Sequence, residues 1–190
     1  MKKKTTAIAL IFALLAIAIA GGTLAYFSDS DSANNEFTVG SVDITLTETN
    51  WDAAVEDELN KDMYPGQTID KNPVVKNGGT NPAFIRIKVT GLDQFGANAP
   101  ITVYTGDTAG ALGTDWALHT DGYYYYKKEV AADASTTALF EKIQLPTSLT
   151  NNQETSPIVV QAQAVQSQGF TGQATDVAAL AAWFTTCLGE

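Results

Sequence analysis

Alternation of apolar and polar residues is the feature that most restricts what this chain can become. Ala83 to Thr90 shows it best: Ile85, Ile87 and Val89 fall on one side, Phe84, Arg86, Lys88 and Thr90 on the other. A period of two is that of an extended strand, since successive side chains leave opposite faces of a sheet. Ser41 to Glu48 repeats the pattern, with Val42, Ile44 and Leu46 set against Asp43, Thr45 and Thr47. So does Pro157 to Gln166, with Ile158, Val160, Ala162 and Ala164 inward. Further strands are predicted from Thr68 to Lys76, around Ile101 to Tyr104, at Trp116 to Thr120, at Tyr123 to Lys128 and from Leu139 to Leu145, where Pro146 halts the run.

Turn chemistry separates these segments. In Tyr64-Pro65-Gly66 the proline presets φ and the glycine tolerates φ > 0. Asn77-Gly78-Gly79 ends one strand. Asp121-Gly122 predicts a two-residue type I′ hairpin. Asn50 to Asp62 is acidic and aperiodic, and reads as an exposed excursion or short helix. Gly91 to Thr114, apart from its one short strand, reads as loops. A helix is expected at the end, about residues 175–188, capped by Thr175 or Asp176. Leu180, Trp183, Phe184, Cys187 and Leu188 form its apolar stripe, docked on the sheets or offered to a partner. Many strands without alternating helices make an all-β, antiparallel sandwich with a short C-terminal helix. Periodicity does not choose between jelly-roll and immunoglobulin-like connections.

The first forty residues obey a different logic. Lys2, Lys3 and Lys4 precede 24 uncharged residues, Thr5 to Ser28, whose strongly apolar part spans the 14 residues from Ala7 to Ala20. A cationic start, a short apolar run and small residues before a polar stretch describe a secretory signal peptide. A retained membrane anchor is the alternative, because the uncharged run is long enough to span a bilayer. The domains expected are thus a signal peptide, 1–25, an extended tail, 26–36, and a sandwich domain, 37–190.

Gly21-Gly22-Thr23-Leu24-Ala25-Tyr26-Phe27-Ser28-Asp29, followed by Phe37-Thr38-Val39-Gly40-Ser41-Val42-Asp43-Ile44, resembles the export segment of the TasA/camelysin family. Tyr64-Pro65-Gly66-Gln67-Thr68 and Val74-Val75-Lys76-Asn77-Gly78-Gly79-Thr80 resemble its P-G-[DQ] turn and V-K-N-x-G-T strand end. Trp116, Gly122-Tyr123-Tyr124-Tyr125-Tyr126 and Leu139-Phe140 resemble an element of relatives exported in the same way. The resemblance implies a jelly-roll-like sandwich, cleavage between Ala25 and Tyr26 by a dedicated SipW-type signal peptidase, and a secreted life at the cell surface. It also implies polymerisation into extracellular biofilm-matrix fibres, chiefly of this chain itself with room for minor subunits.

Charge and chemistry narrow the function. Without the three leader lysines, eight basic residues face 21 acidic ones, a formal balance of −13. Such a chain disfavours nucleic acid and anionic membranes, and leaves the signal segment as its only membrane contact. The single cysteine, Cys187, excludes an intrachain disulfide and reads as a buried thiol, with an intermolecular disulfide as the alternative. His119 is the only histidine, and no H-E-x-x-H, Cys/His cluster, G-x-S-x-G elbow or phosphate loop occurs. No catalytic, cofactor or metal residue is therefore assigned, although the resemblance extends to camelysin, catalogued as a metallopeptidase. Asp29-Ser30-Asp31-Ser32 has the carboxylate spacing of a calcium loop without its glycine or its bidentate glutamate, and reads as solvated. The Tyr123 to Tyr126 run reads as a packing element, two rings in the core and two outside, rather than a sugar platform.

A tail of Tyr26, Phe27, Ser28, Asp29, Ser30 and Asp31 lacks core periodicity. It can extend onto an open sheet edge of another subunit, and tail-to-groove contact repeated head to tail gives a filament. A disordered remnant of the leader is the other reading. The expected function is a non-enzymatic fibre subunit assembling by donor-strand addition, with a camelysin-like surface peptidase or a monomeric adhesive module as alternatives. N-terminal sequencing of the exported protein should begin at Tyr26; a start at Gly21 would indicate an ordinary signal peptidase.

Overall fold

The computed structural model describes residues 41–51, 63–150 and 156–190, within one compact unit, Val39–Glu190. The leader, the cleavage site at Ala25 and Tyr26, and the tail with its Asp29-Ser30-Asp31-Ser32 segment lie outside the described residues. Ten strands form: β1 (Ile44–Thr47), β2 (Thr68–Asp70), β3 (Val74–Asn77), β4 (Ala83–Thr90), β5 (Thr102–Thr105), β6 (Thr108–Ala109), β7 (Trp116–Leu118), β8 (Tyr124–Tyr126), β9 (Lys142–Gln144) and β10 (Val159–Gln166). A C-terminal helix, α1 (Val177–Leu188), follows β10.

Every strand pair among the described residues is antiparallel, in sheets ordered β10-β4-β8-β7, β2-β9-β5-β6 and β1-β3. Neighbours so distant in sequence are what a jelly roll requires, because its strands alternate between two sheets. Ile69, Ile85, Ile87, Tyr126, Leu139, Phe140 and Ile143 bury themselves in one apolar core, with Ile158, Val160, Ala162 and Ala164 of β10 packed against it. A second core lies on the other face of β4, β8 and β10, where Phe84, Tyr125 and Val165 meet Leu180, Ala181 and Phe184 of α1. The antiparallel sandwich with its terminal helix is thus as the periodicity predicts.

Several local expectations are corrected. The segment from Thr68 to Lys76 is two strands in two sheets. It breaks at Lys71-Asn72-Pro73, where Pro73 has no N–H to give and its carbonyl accepts from Leu139 N at 3.0 Å. The hairpin after β7 has a three-residue loop. Gly122 N donates to His119 O (3.1 Å), His119 N donates to Tyr123 O (2.9 Å), and Gly122 alone takes positive φ, +82°. That is a type I turn closed by a glycine bulge, so Asp121 keeps an ordinary backbone and its carboxylate accepts from Tyr123 N instead.

Leu139 and Phe140 are buried but irregular, and the strand starts only at Lys142. Val42 is exposed, leaving Ile44 and Leu46 as the inward pair. Residues 49–51 are helical; the rest of the excursion to Asp62 lies outside the described residues. Within Gly91 to Thr114 a second strand, β6, appears besides the expected one.

Other expectations hold in detail. Tyr64-Pro65-Gly66-Gln67 closes with Gln67 N donating to Tyr64 O (3.0 Å) and Gly66 at φ +80°. Asp176 caps α1, its carboxylate accepting from Ala178 N and Ala179 N, and Gly189 ends it in the left-handed conformation. The buried stripe of α1 runs Leu180, Ala181, Phe184, with Trp183 half-buried, while Leu188 and Cys187 are exposed. The expected buried thiol is therefore corrected: Cys187 falls beyond the part of the helix that the sheet covers.

The Asn77-Gly78-Gly79-Thr80 element ties the first described residues down. Gly78 N donates to Asp43 O at 2.8 Å, Thr80 N to Ser41 O at 3.3 Å, and Asn77 Oδ1 accepts from Gly79 N at 3.0 Å. A Cβ on Gly79 would collide with the Ser41 carbonyl and stand 3.0 Å from Asp43 N. Gly79→Ala should therefore cost roughly 1–3 kcal/mol, the usual penalty of overpacking, measured by denaturant unfolding. Gly106→Ala, with nothing near its Cβ, separates this from backbone strain alone.

Candidate functional site

Two features of the sandwich are unlike the rest. The first is the outer edge of β10. Val159-Val160-Gln161-Ala162-Gln163-Ala164-Val165-Gln166 contains no charged residue and no proline, the devices by which edge strands normally refuse partners. Among the described residues β10 is paired on one side only, with β4 from Val159↔Thr90 to Gln166↔Ala83. β1 runs close to β10 but forms its ladder with β3.

The two ends of this edge differ. At the Gln166 end lie Ala83 and the Asn77–Thr80 turn that holds Ser41 and Asp43, so the chain preceding residue 41 departs there. At the Val159 end lie Thr90, the end of β1 at Thr47, and Trp51.

The second feature is a polar network on the helix-covered face. Arg86, 2% exposed, donates from Nε to Gln163 Oε1 (2.7 Å), from one terminal nitrogen to the Tyr125 hydroxyl (3.2 Å) and from the other to Glu190 Oε2 (2.6 Å). Its guanidinium stacks over Tyr123 at 3.9 Å and faces Phe184 at 4.8 Å. Tyr125 donates to Asp121 Oδ2 at 2.7 Å, and His119 Nδ1 lies 3.3 Å from that oxygen without hydrogen-bond geometry.

Burial would lower the Arg86 pKa, but the bonds from Glu190 and Tyr125 outweigh it and raise it. Burial likewise opposes ionisation of Asp121, and its hydrogen bonds from Tyr125 and Tyr123, with His119 beside it, hold the carboxyl below its ordinary value. Burial first, then Asp121, pushes the Tyr125 phenol up to about 12 against the pull of Arg86. Arg86 and Tyr125 are engaged at every nitrogen and oxygen, so the network fastens α1 to the sheet. Sequence reasoning placed Arg86 on the face opposite Ile85 and Ile87 and had no signal for its burial.

The tyrosine run is also corrected. Tyr124 and Tyr126 face the main core and Tyr123 and Tyr125 the second one, so the two rings expected outside are covered by α1. None forms an open stacking surface for a sugar. A second buried cation escaped the sequence reading: Lys71, 2% exposed, meets Glu48 Oε1 and Oε2 at 2.8 and 2.9 Å and lies over the Trp51 ring at 4.5 Å.

Among the described residues the chain is an antiparallel, jelly-roll-like sandwich in which β10 carries a ladder on one side only. Residues 1–90 match the model of the family described as camelysin metallo-endopeptidase. That match covers the N-terminal stretch and is consistent with its resemblance to the TasA/camelysin group. No curated protein matches the chain.

The family description raises a catalytic metal, and the donors among the described residues do not assemble a site for one. A catalytic zinc takes three protein ligands. Among the described residues no group of three or more His, Cys, Asp or Glu side chains could hold an ion. The sole imidazole, His119, has only Asp121 beside it, and that carboxylate is engaged by Tyr125.

Tyr125→Phe removes two hydrogen bonds and should cost roughly 1–3 kcal/mol by thermal or denaturant unfolding. The pH dependence carries a signature. Because the folded phenol keeps its proton above the ordinary value of about 10, the Tyr125 contribution is intact below pH 10 and is lost as pH rises towards 12. The variant should lack that alkaline component.

Proposed function

We propose that this chain is a secreted structural subunit of extracellular biofilm-matrix fibres, assembled head to tail as the N-terminal tail of one copy adds a strand to the next. The carrying observation is the β10 edge: eight residues long, without charge or proline, and paired on one side only among the described residues. An added strand gains main-chain hydrogen bonds, each worth about 0.5–1.5 kcal/mol net, so the eleven-residue tail, 26–36, can hold subunits together. The acidic surface supports the same reading, because a balance of −13 makes assembly respond to salt and to divalent cations. Cleavage between Ala25 and Tyr26 by a dedicated SipW-type peptidase supplies the free end.

One observation favours a second reading, a surface peptidase, namely the family description itself. The two part experimentally. A chain beginning at Phe37 should fold, since Ile44 and Leu46 still pack on the core, but remain monomeric by sedimentation and electron microscopy where the chain from Tyr26 forms fibres at matched salt. Equal polymerisation of both overturns donor-strand assembly. Stoichiometric zinc with chelator-sensitive casein cleavage by the purified chain would favour the peptidase instead.

A further inference from the structure

A cavity of about 340 Å³ opens at the Val159 end of the β10 edge, lined by Trp51, Met63, Phe95, Ile143, Leu145 and Ile158. Its polar rim is already engaged: Gln94 accepts from Ser156 N at 2.6 Å and donates to Gly91 O at 2.9 Å. What remains is an apolar seat of ligand size. It lies at the opposite end of β10 from the point where the chain before Ser41 departs.

We infer that this cavity receives the Phe37 ring of a neighbouring copy, so that each joint of the polymer is a phenylalanine plugged into the far end of the next sandwich. The inference rests on the fibre reading above and adds direction, register and anchor to it. Direction comes first. All seven strand pairs among the described residues are antiparallel. A strand added antiparallel to β10 has its N-terminal end beside Gln166 and its C-terminal end beside Val159, next to the cavity.

A chain's own tail cannot do this. Its residue 41 is held at the Gln166 end by Asp43, Gly78 and Thr80, and β10 is about 26 Å long at ~3.3 Å per residue. Folding back along its own β10 would give a parallel strand. An antiparallel tail must come from a copy whose Ser41 sits just beyond the cavity.

Register follows. Phe37 stands four residues before Ser41, which brings it to the cavity mouth, and it is the only aromatic residue between Phe27 and Ser41. Phe27 lies ten residues further on, about 33 Å when extended, past the other end of β10.

The mature chain from Tyr26 tests this. Phe37→Ala should raise the critical concentration for polymerisation, read by sedimentation, at least about tenfold, and Phe37→Leu should recover most of the loss. An unchanged critical concentration for Phe37→Ala, while removal of residues 26–36 abolishes fibres, overturns the seat and leaves the fibre reading standing. Fibres that survive removal of residues 26–36, or a full chain that forms none, overturn the fibre reading and the seat with it. A lowered monomer melting temperature for Phe37→Ala would place the ring in its own sandwich and also overturn the seat.

Geometry is tested separately in a Cys187→Ser background carrying Phe37→Cys and Ile158→Cys. Oxidation of assembled protein should give a ladder of covalent multimers. An internally bridged monomer, or no bridge, overturns the inference.

Discussion

Asn77 is the point from which the sandwich is organised. Its side chain has no exposed surface, yet Nδ2 donates to the carbonyls of Asn81, Val130 and Ala131 at 2.9, 3.0 and 3.2 Å, and Oδ1 accepts from Gly79. A buried amide left unsatisfied costs several times what a made hydrogen bond returns, so each of these backbone segments has to be where it is. Through them one side chain fixes the β3–β4 turn, the irregular loop after β8 and the seat of β1. The β1 and β3 pairing and the departure point of the preceding chain are consequences of that arrangement. So is the distance between that departure point and the cavity at the other end of β10.

The central sheet carries a different constraint: it is covered on both faces. β4 supplies Ile85 and Ile87 to one core and Phe84 to the other, with Arg86 between the sheet and α1. A guanidinium tolerates this place because its planar faces stack on Tyr123 and Phe184 while its edges meet Gln163, Tyr125 and Glu190. An ammonium would have neither the stacking surface nor the fork of donors.

How much of this could be read from residues alone depended on whether the cause was local. Tyr64-Pro65-Gly66 and the cap at Asp176 were legible because the backbone demand and the residue meeting it are adjacent. The alternation of Ala83 to Thr90 gave strand and facing, but alternation cannot say whether the second face meets water or a helix far along the chain, so the burial of Arg86 was not legible and the two tyrosine rings expected outside lie under α1.

The break at Pro73 and the glycine bulge at Gly122 turn on which strand each segment pairs with, and that is set by the whole sandwich. The departure point at Ser41 was implicit in the Asn-Gly-Gly-Thr element. That β10 carries a ladder on one side only among the described residues was not, since an uncharged alternating strand reads the same in the middle of a sheet as at its rim.

Because α1 is fastened by one stripe of side chains and one arginine network, whereas β4 and β10 share an eight-residue ladder, the molecule has two levels of cooperativity. Local opening follows contact density, so the terminal helix is the unit that detaches at lowest cost while the jelly roll stays closed. Its departure bares Phe84, Tyr125 and Val165 on one face without disturbing Ile85 and Ile87 on the other. Amides of α1 therefore belong to the fast-exchanging class and those of β4 to the class that exchanges only when the whole domain unfolds.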